Sequence, residues 1–235
     1  MKARITVLSI AVVFAALLLL AFLGKSTAKE NKIYPVQGWT LVYAHTSILN
    51  QQRVLNSMAV RYLSEDGRWK ETKFHFLSNG KFKFEREASD KRGVFLVDED
   101  KISPVGNSPA SVEMSLSQYS SEGFLRSSPQ FQRESEVAGL KTFVWSHSPG
   151  ENGDYWTDEY SAQVGGAIPL RSVHYGANGS VVDEMVAVLA IPGQPSEAAY
   201  AIPDNLKIDT KFLDEAIDRS KDTALRSLKD KLVNK

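Results

Sequence analysis

The stretch Phe74-His75-Phe76-Leu77-Ser78-Asn79-Gly80-Lys81-Phe82-Lys83-Phe84 decides the fold, because it can turn back on itself in two registers. A two-residue Asn79-Gly80 loop would set Phe76 against Lys83 and His75 against Phe84. A three-residue Ser78-Asn79-Gly80 loop pairs Phe76 with Phe82 and Phe74 with Phe84 instead. That loop ends on a residue in the left-handed region, which Gly80 supplies without steric cost. Cross-strand aromatic pairs each add about 0.2–1 kcal/mol, so the three-residue register is preferred.

Working outward, Glu65-Asp66-Gly67 read the same way pairs Leu63 with Trp69, Arg61 with Glu71 and Met58 with Phe74. Strand side chains alternate between faces. Met58, Val60, Tyr62, Phe74, Phe76, Phe82 and Phe84 therefore share one apolar, aromatic-rich face, the candidate ligand-lining surface. Arg61, Glu71, Lys73, Lys81, Lys83 and Glu85 fall mainly on the other. Two readings of the apolar face stay open. It is a core packed under another layer, as half-buried sheets require, or a concave surface that takes an apolar ligand.

The same alternation with turn signals extends over Trp39–Ile48, Val54–Leu63, Trp69–Leu77, Phe82–Glu87, Val94–Val97, Phe131–Val137, Leu140–His147, Asp154–Tyr160, Leu170–Tyr175, Val181–Ile191 and Ala199–Ile208. Many short strands at these spacings indicate a mainly β chain, a sandwich, barrel or curved antiparallel sheet. A serine-rich stretch at 103–130 interrupts it, with a short helix expected over Ser111–Ser121. After Asp209, Leu213, Ile217, Ala224 and Leu228 share a helical face. Asp214, Glu215 and Asp218 come early and Arg226, Lys229 and Lys231 late, as the helix dipole favours. An amphipathic helix over 210–235 is expected, a candidate docking element for a protein partner.

The chain opens Met1-Lys2-Ala3-Arg4 and continues with a 19-residue apolar run, Ile5 to Leu23, then Ser26-Thr27-Ala28. Positive n-region, apolar h-region and small residues make a secretory signal. Signal h-regions run about 7–15 residues, whereas about 18 or more can span a bilayer. Residues 1–28 thus read as a cleaved signal or as an uncleaved membrane anchor through residues 5–23, with Lys2 and Arg4 cytoplasmic. Both readings export the β-rich domain at 29–209, to the periplasm or extracellular side, soluble or anchored to the inner or plasma membrane.

The sequence contains no cysteine, which excludes disulfides, thiolate metal sites and a thiol nucleophile. Without Lys2, Arg4 and Lys25, 25 basic residues face 28 acidic ones. A mildly acidic body with no basic tract argues against nucleic-acid binding. His45, His75, His147 and His174 have no metal-ligand spacing and read as strand positions with one wet edge. A pairing of His174 with Asp183 is open in one register. Asp98-Glu99-Asp100 reads as a charged turn between Val97 and Ile102, and neither it nor Asp154, Asp158 and Glu159 has the spacing of a calcium loop. With no phosphate-cradling glycine motif either, no catalytic residue, metal ligand or cofactor is assigned. The chain is read as non-enzymatic.

Four phrases carry a family resemblance: Val94-Phe95-Leu96-Val97-Asp98; Val137-Ala138-Gly139-Leu140-Lys141-Thr142; Asp154-Tyr155-Trp156-Thr157-Asp158 followed by Ile168-Pro169-Leu170-Arg171-Ser172-Val173; and Ala199-Tyr200-Ala201-Ile202-Pro203-Asp204. Together they resemble the LolA-like group of exported envelope proteins, over roughly residues 39–209. The resemblance implies a curved, incomplete antiparallel barrel wrapped around helices, whose concave side takes acyl chains. It implies an apolar ligand or a lipidated protein as partner. The chain departs from that group in having no room for a helix before the first strand, a helix after Asp209 and no lipid-attachable cysteine.

Overall fold

The computed structural model describes residues 37–77, 81–90, 93–98, 100–106, 118–203, 205–211, 214, 226, 229 and 230. All belong to one of the chain's two units, Lys32–Lys235; the other, Met1–Asn31, lies outside them, and with it the expected signal or anchor. Among the described residues no helix is long and apolar enough to cross a membrane.

Among the described residues twelve strands make one open sheet: β1 Trp39–Leu49, β2 Gln52–Leu63, β3 Trp69–Phe76, β4 Phe82–Asp90, β5 Gly93–Val97, β6 Lys101–Gly106, β7 Phe131–Val137, β8 Leu140–Ser146, β9 Tyr155–Tyr160, β10 Pro169–Tyr175, β11 Val181–Pro192 and β12 Lys207–Ile208. Their order is β12-β6-β5-β4-β3-β2-β1-β11-β10-β9-β8-β7, so β12 and β7 form the edges. Neighbours run antiparallel except β12, which lies parallel to β6. The fold is thus mainly β, an unclosed antiparallel sheet, as expected.

The decisive registers are those read from the sequence. Phe76 opposes Phe82, Phe74 opposes Phe84, Met58 opposes Phe74, Arg61 opposes Glu71 and Leu63 opposes Trp69. The amide of Leu77 donates to the Lys81 carbonyl at 2.9 Å, and that of Ser64 to Arg68 at 2.8 Å, closing both three-residue loops.

Two expectations are corrected. Ala199–Ile208 is not one strand: α2, Glu197–Tyr200, precedes a two-residue β12. The helix formers Glu197-Ala198-Ala199 follow the N-cap Ser196, and Pro203, which has no N–H to donate, breaks further pairing. Inside the stretch read as irregular, Lys101–Gly106 is a strand despite Pro104. Proline is tolerated there because β12 reaches only Lys101 and Ile102, leaving the rest of β6 an edge. The helix before β7 is α1, Glu122–Ser127, capped when Ser121 Oγ accepts from the Phe124 amide. Most of the Ser111–Ser121 expectation lies outside the described residues.

In the C-terminal segment the helical face Leu213, Ile217, Ala224 and Leu228 lies outside them too. Asp214 and Lys229 form an ion pair at 2.5 Å.

The main core lies on the face opposite the seven apolar residues. Trp39, Leu41 and Tyr43 of β1 with Ala59 and Leu63 of β2 pack under Val137, Val164, Ile168 and Leu170. Leu125 of α1 closes a second cluster on Phe143, Trp145 and Tyr160, and the Trp145 indole donates to the Leu125 carbonyl at 2.8 Å. Arg61 and Glu71, expected on a polar face, sit inside the main core's face. Arg61 Nε and Nη2 both reach Glu71 Oε2 at 2.7 Å, and the guanidinium lies 5.3 Å from the Trp69 ring. Local alternation separates the two faces but does not say which one the distant segment 137–170 will cover.

Candidate functional site

Strand pairing carries the seven residues into rows across one face. Phe84, Phe74 and Met58 continue through Ala44 of β1 to Val186 of β11. Val60 continues through Val42 to Leu189, and Tyr62 through Thr40 to Ile191. Phe76 and Phe82 complete the pattern at the tip of the β3–β4 hairpin. Phe74 meets Phe84 edge-on with centroids 5.3 Å apart, and Phe76 meets Phe82 at 5.5 Å. All seven sequence-chosen residues are thus on one face, as expected.

This face is not closed like the core. Met58, Val60, Tyr62 and Phe74 are half-buried, while Phe76 retains 38%, Phe82 56% and Phe84 56% of its surface. Leu189 and Ile191 on β11 stay 47% and 48% exposed. Sequence reasoning missed Val42, Ala44, Leu189 and Ile191 as continuations of the face. The bulge between Val42 and Tyr43 sets Leu189 against Val42 and Ala187 against Tyr43, which hides the alternation. From β11 to β4 the face spans about 19 Å across and about 20 Å along the strands, by ordinary strand spacings. At its β4–β6 side the chain covers it: Ala88, Phe95, Val97 and Ile102 are buried beneath Ile202 and Leu206. At the β4–β5 edge a cavity of about 740 Å3 is lined mostly from the other, charged face, by Lys83, Glu85, Leu96, Asp98, Asp100 and Ser103, together with Phe84, Arg86 and Val97.

The opposite face of β8–β11 carries a smaller, polar cleft of about 390 Å3 lined by Trp156, Asp158, Ser172, His174, Asp183 and Met185. His174 Nδ1 lies 3.2 Å from Asp183 Oδ2, the pairing left open above, and β10 meets β11 with a bulge after His174. His147 Nε2 is 2.7 Å from Asp158 Oδ2, Tyr160 donates to the same oxygen at 3.1 Å, and Ser172 donates to Asp158 Oδ1. Burial drives the Tyr160 phenol well above its ordinary pKa, and the Asp158 carboxylate adds to it. Ser172 therefore faces a carboxylate rather than an imidazole, so these groups are not arranged as a Ser-His-Asp relay. All four histidines are partly exposed, with side chains 24–34% accessible; His45, His75 and His174 are strand positions with a wet edge, as expected, whereas His147 lies just past the end of β8.

Asp158 and Glu159 point to opposite faces. Glu159 is buried, accepting from Thr142 at 3.0 Å and Arg171 at 3.1 Å. Arg171 also holds Glu184 at 2.7 Å, and Arg53 reaches that carboxylate at 2.8 Å from outside. Such convergent pairing is what buried carboxylates need. Asp98 begins a tight turn, its amide donating to the Lys101 carbonyl at 2.9 Å. Among the described residues no group of three His, Asp or Glu could hold a metal ion.

No protein-family model and no curated protein sequence matches the chain. Among solved structures it is similar to MucB in the Pseudomonas aeruginosa MucA/MucB complex, at 13% identity over 74% of this chain, with TM-score 0.43. The chain spans 59% of that MucB chain. It is also similar to an uncharacterised conserved protein from Thermus thermophilus, at 10% identity over 74% of this chain and 91% of the other, TM-score 0.46. A LolA superfamily protein, NE2245 from Nitrosomonas europaea, is a further match, at 10% identity over 74% of this chain and 95% of its own, TM-score 0.34.

Proposed function

We propose that residues 29–209 form an exported, non-enzymatic domain that binds an acyl chain, free or on a lipidated protein, along the Met58–Phe84 face. The observation that carries this is the exposure of Phe76, Phe82 and Phe84 in register with Met58 and Phe74, while the core is packed on the other side. Contiguous exposed apolar surface of this extent marks interaction sites in soluble proteins. Burial contributes about 0.8 kcal/mol per methylene, so about ten seated methylenes offer about 8 kcal/mol before ordering costs. Residues 1–28 export the domain, and 5–23, if uncleaved, keep it beside a bilayer. Residues 210–235 are left to dock a protein partner.

Titration of the full chain with a fluorescent fatty acid tests the reading, since every variant carries the same N-terminal segment. Phe84→Asp and Leu189→Asp, each confirmed folded by circular dichroism, lose binding if the face is the site. Unchanged binding in both would place the ligand elsewhere.

A further inference from the structure

Where β3 and β4 cross the apolar face they bring three charged side chains to it, the cations Lys70 and Arg86 and, at the end of β4, Asp90. Lys70 of β3 lies opposite Tyr62 and Ala88, and Arg86 of β4 lies opposite Thr72. Opposed residues share a face, so Lys70, Thr72 and Arg86 stand with Tyr62, Val60 and Phe74, while Glu71, Glu85 and Glu87 point away to the other side. Lys70 and Arg86 sit on diagonal positions of an antiparallel pair, where side chains approach to about 7–8 Å or less. Both are half-buried, and neither makes a hydrogen bond or ion pair with another described residue.

The arginines around them are matched. Arg61 has Glu71, Arg53 has Glu184 and Arg68 has Asp66 and Glu197. A half-buried cation beside a second cation costs free energy unless an anion compensates both. Burial, followed by the repulsion of Arg86, holds the Lys70 ammonium below the usual lysine range, as expected for a cation without a counter-charge. The pair also lies at one side of the apolar rows. Tyr62, Val60 and Ala88 surround it, and the phenylalanines run from it toward the β3–β4 tip.

We infer that Lys70 and Arg86 form the headgroup subsite of this face, so that its ligand is an anionic amphiphile with a carboxylate or phosphate at one end. The inference rests on the acyl-binding reading above. The head group is held by charge-assisted hydrogen bonds from Nζ and the guanidinium, and the chain runs over Phe74 and Phe84 toward Phe76 and Phe82. Free carboxylate and lipid phosphate share this chemistry and differ in how they use Arg86, whose planar fork suits bidentate oxygen pairs.

The test compares four amphiphiles of one chain length on the full-length protein: oleate, lysophosphatidylglycerol, lysophosphatidylcholine and oleyl alcohol. Binding is read by displacement of a fluorescent fatty acid. The anionic pair is expected to bind more tightly than the zwitterion and the alcohol. Lys70→Gln and Arg86→Gln should each weaken the anions by about tenfold to a hundredfold, the value of a lost charged hydrogen bond. They should leave oleyl alcohol unchanged. Neither variant should lower the melting temperature, because each removes an uncompensated cation; a charge reversal, Lys70→Glu, should abolish anion binding while remaining folded. Oleate favoured over lysophosphatidylglycerol assigns a carboxylate source, and the reverse a phosphate source. Equal affinity for oleate and oleyl alcohol, or variants that leave the anion preference intact, would overturn the subsite while leaving acyl binding standing. Failure of all four to bind would overturn both.

Discussion

Phe74 and Phe84 face each other across β3 and β4 with ring planes at 73° and centroids 5.3 Å apart, the edge-to-face arrangement that aromatic quadrupoles favour. Half of this pair is in solvent, so its coupling can be measured without collapsing a core. In a double-mutant cycle of Phe74→Leu and Phe84→Leu, urea denaturation should give an interaction energy of about 0.5–1.5 kcal/mol. A value near zero would mean that the rings contribute through separate contacts only.

Arg61 and Glu71 make a different kind of pair, set on the buried face with side chains 24% and 15% accessible. Removing one partner strands the other. Arg61→Met should cost toward the lower end of about 3–5 kcal/mol, since some solvent still reaches Glu71. Arg61→Met combined with Glu71→Leu should recover most of the loss. Chemical denaturation of the single and double variants checks the order.

Directly across from Glu71 stands Glu87 on β4. Burial pushes the Glu87 carboxyl up from its ordinary value of 4.5, and the Glu71 charge adds to it. A raised folded pKa means that the folded chain keeps this proton where the unfolded chain has released it. Its stabilising contribution is present below 4.5 and is lost as pH rises through the folded value. Glu87→Gln should therefore raise the melting temperature at neutral pH, and the gain should shrink at pH values below the ordinary one. Thermal melts across that window decide it.

The β1–β2 hairpin turns on Asn50 and Gln51, with φ of 51° and 65°. Both residues occupy the left-handed region, as in a type I′ turn, and glutamine is poorly suited to it. A non-glycine residue there costs about 1–2 kcal/mol, against about 0.5–1 kcal/mol of extra chain entropy lost by glycine. Gln51→Gly should stabilise the protein by about 0.5–1 kcal/mol. A destabilised variant in thermal or urea melts would show that the Gln51 side chain makes a compensating contact.

Buried Leu125 fixes α1 to the sheet, beneath Phe143, Trp145 and Tyr160. Leu125→Ala should cost about 2–5 kcal/mol, the range for a leucine truncated in a packed core. Loss of near-ultraviolet signal from Trp145 would accompany it, and denaturation midpoints measure the cost.

The registers of β2, β3 and β4 were legible because a hairpin is a local object. Gly80 and Gly67 restrict the loop, and the aromatic or charged partners then select one alignment, the one observed for Phe74 with Phe84 and Arg61 with Glu71. The face shared by Met58, Val60, Tyr62, Phe74, Phe76, Phe82 and Phe84 follows from that alignment alone. Less legible were elements whose pairing is not local. β6 hid behind Pro104, and β12 shrank to two residues whose partner, Lys101–Ile102, lies about a hundred positions away.

What the sequence determined by itself is the sheet, its hairpin registers and the grouping of seven apolar side chains on one side. Tertiary structure alone decided that this side is the open one. Burial depends on what distant segments cover, and Val137, Val164, Ile168 and Leu170 chose the opposite face, taking Arg61 and Glu71 into the core. The same choice left Lys70 and Arg86 on the open face with no carboxylate paired to them among the described residues. A charge's partner is fixed by space rather than by sequence distance.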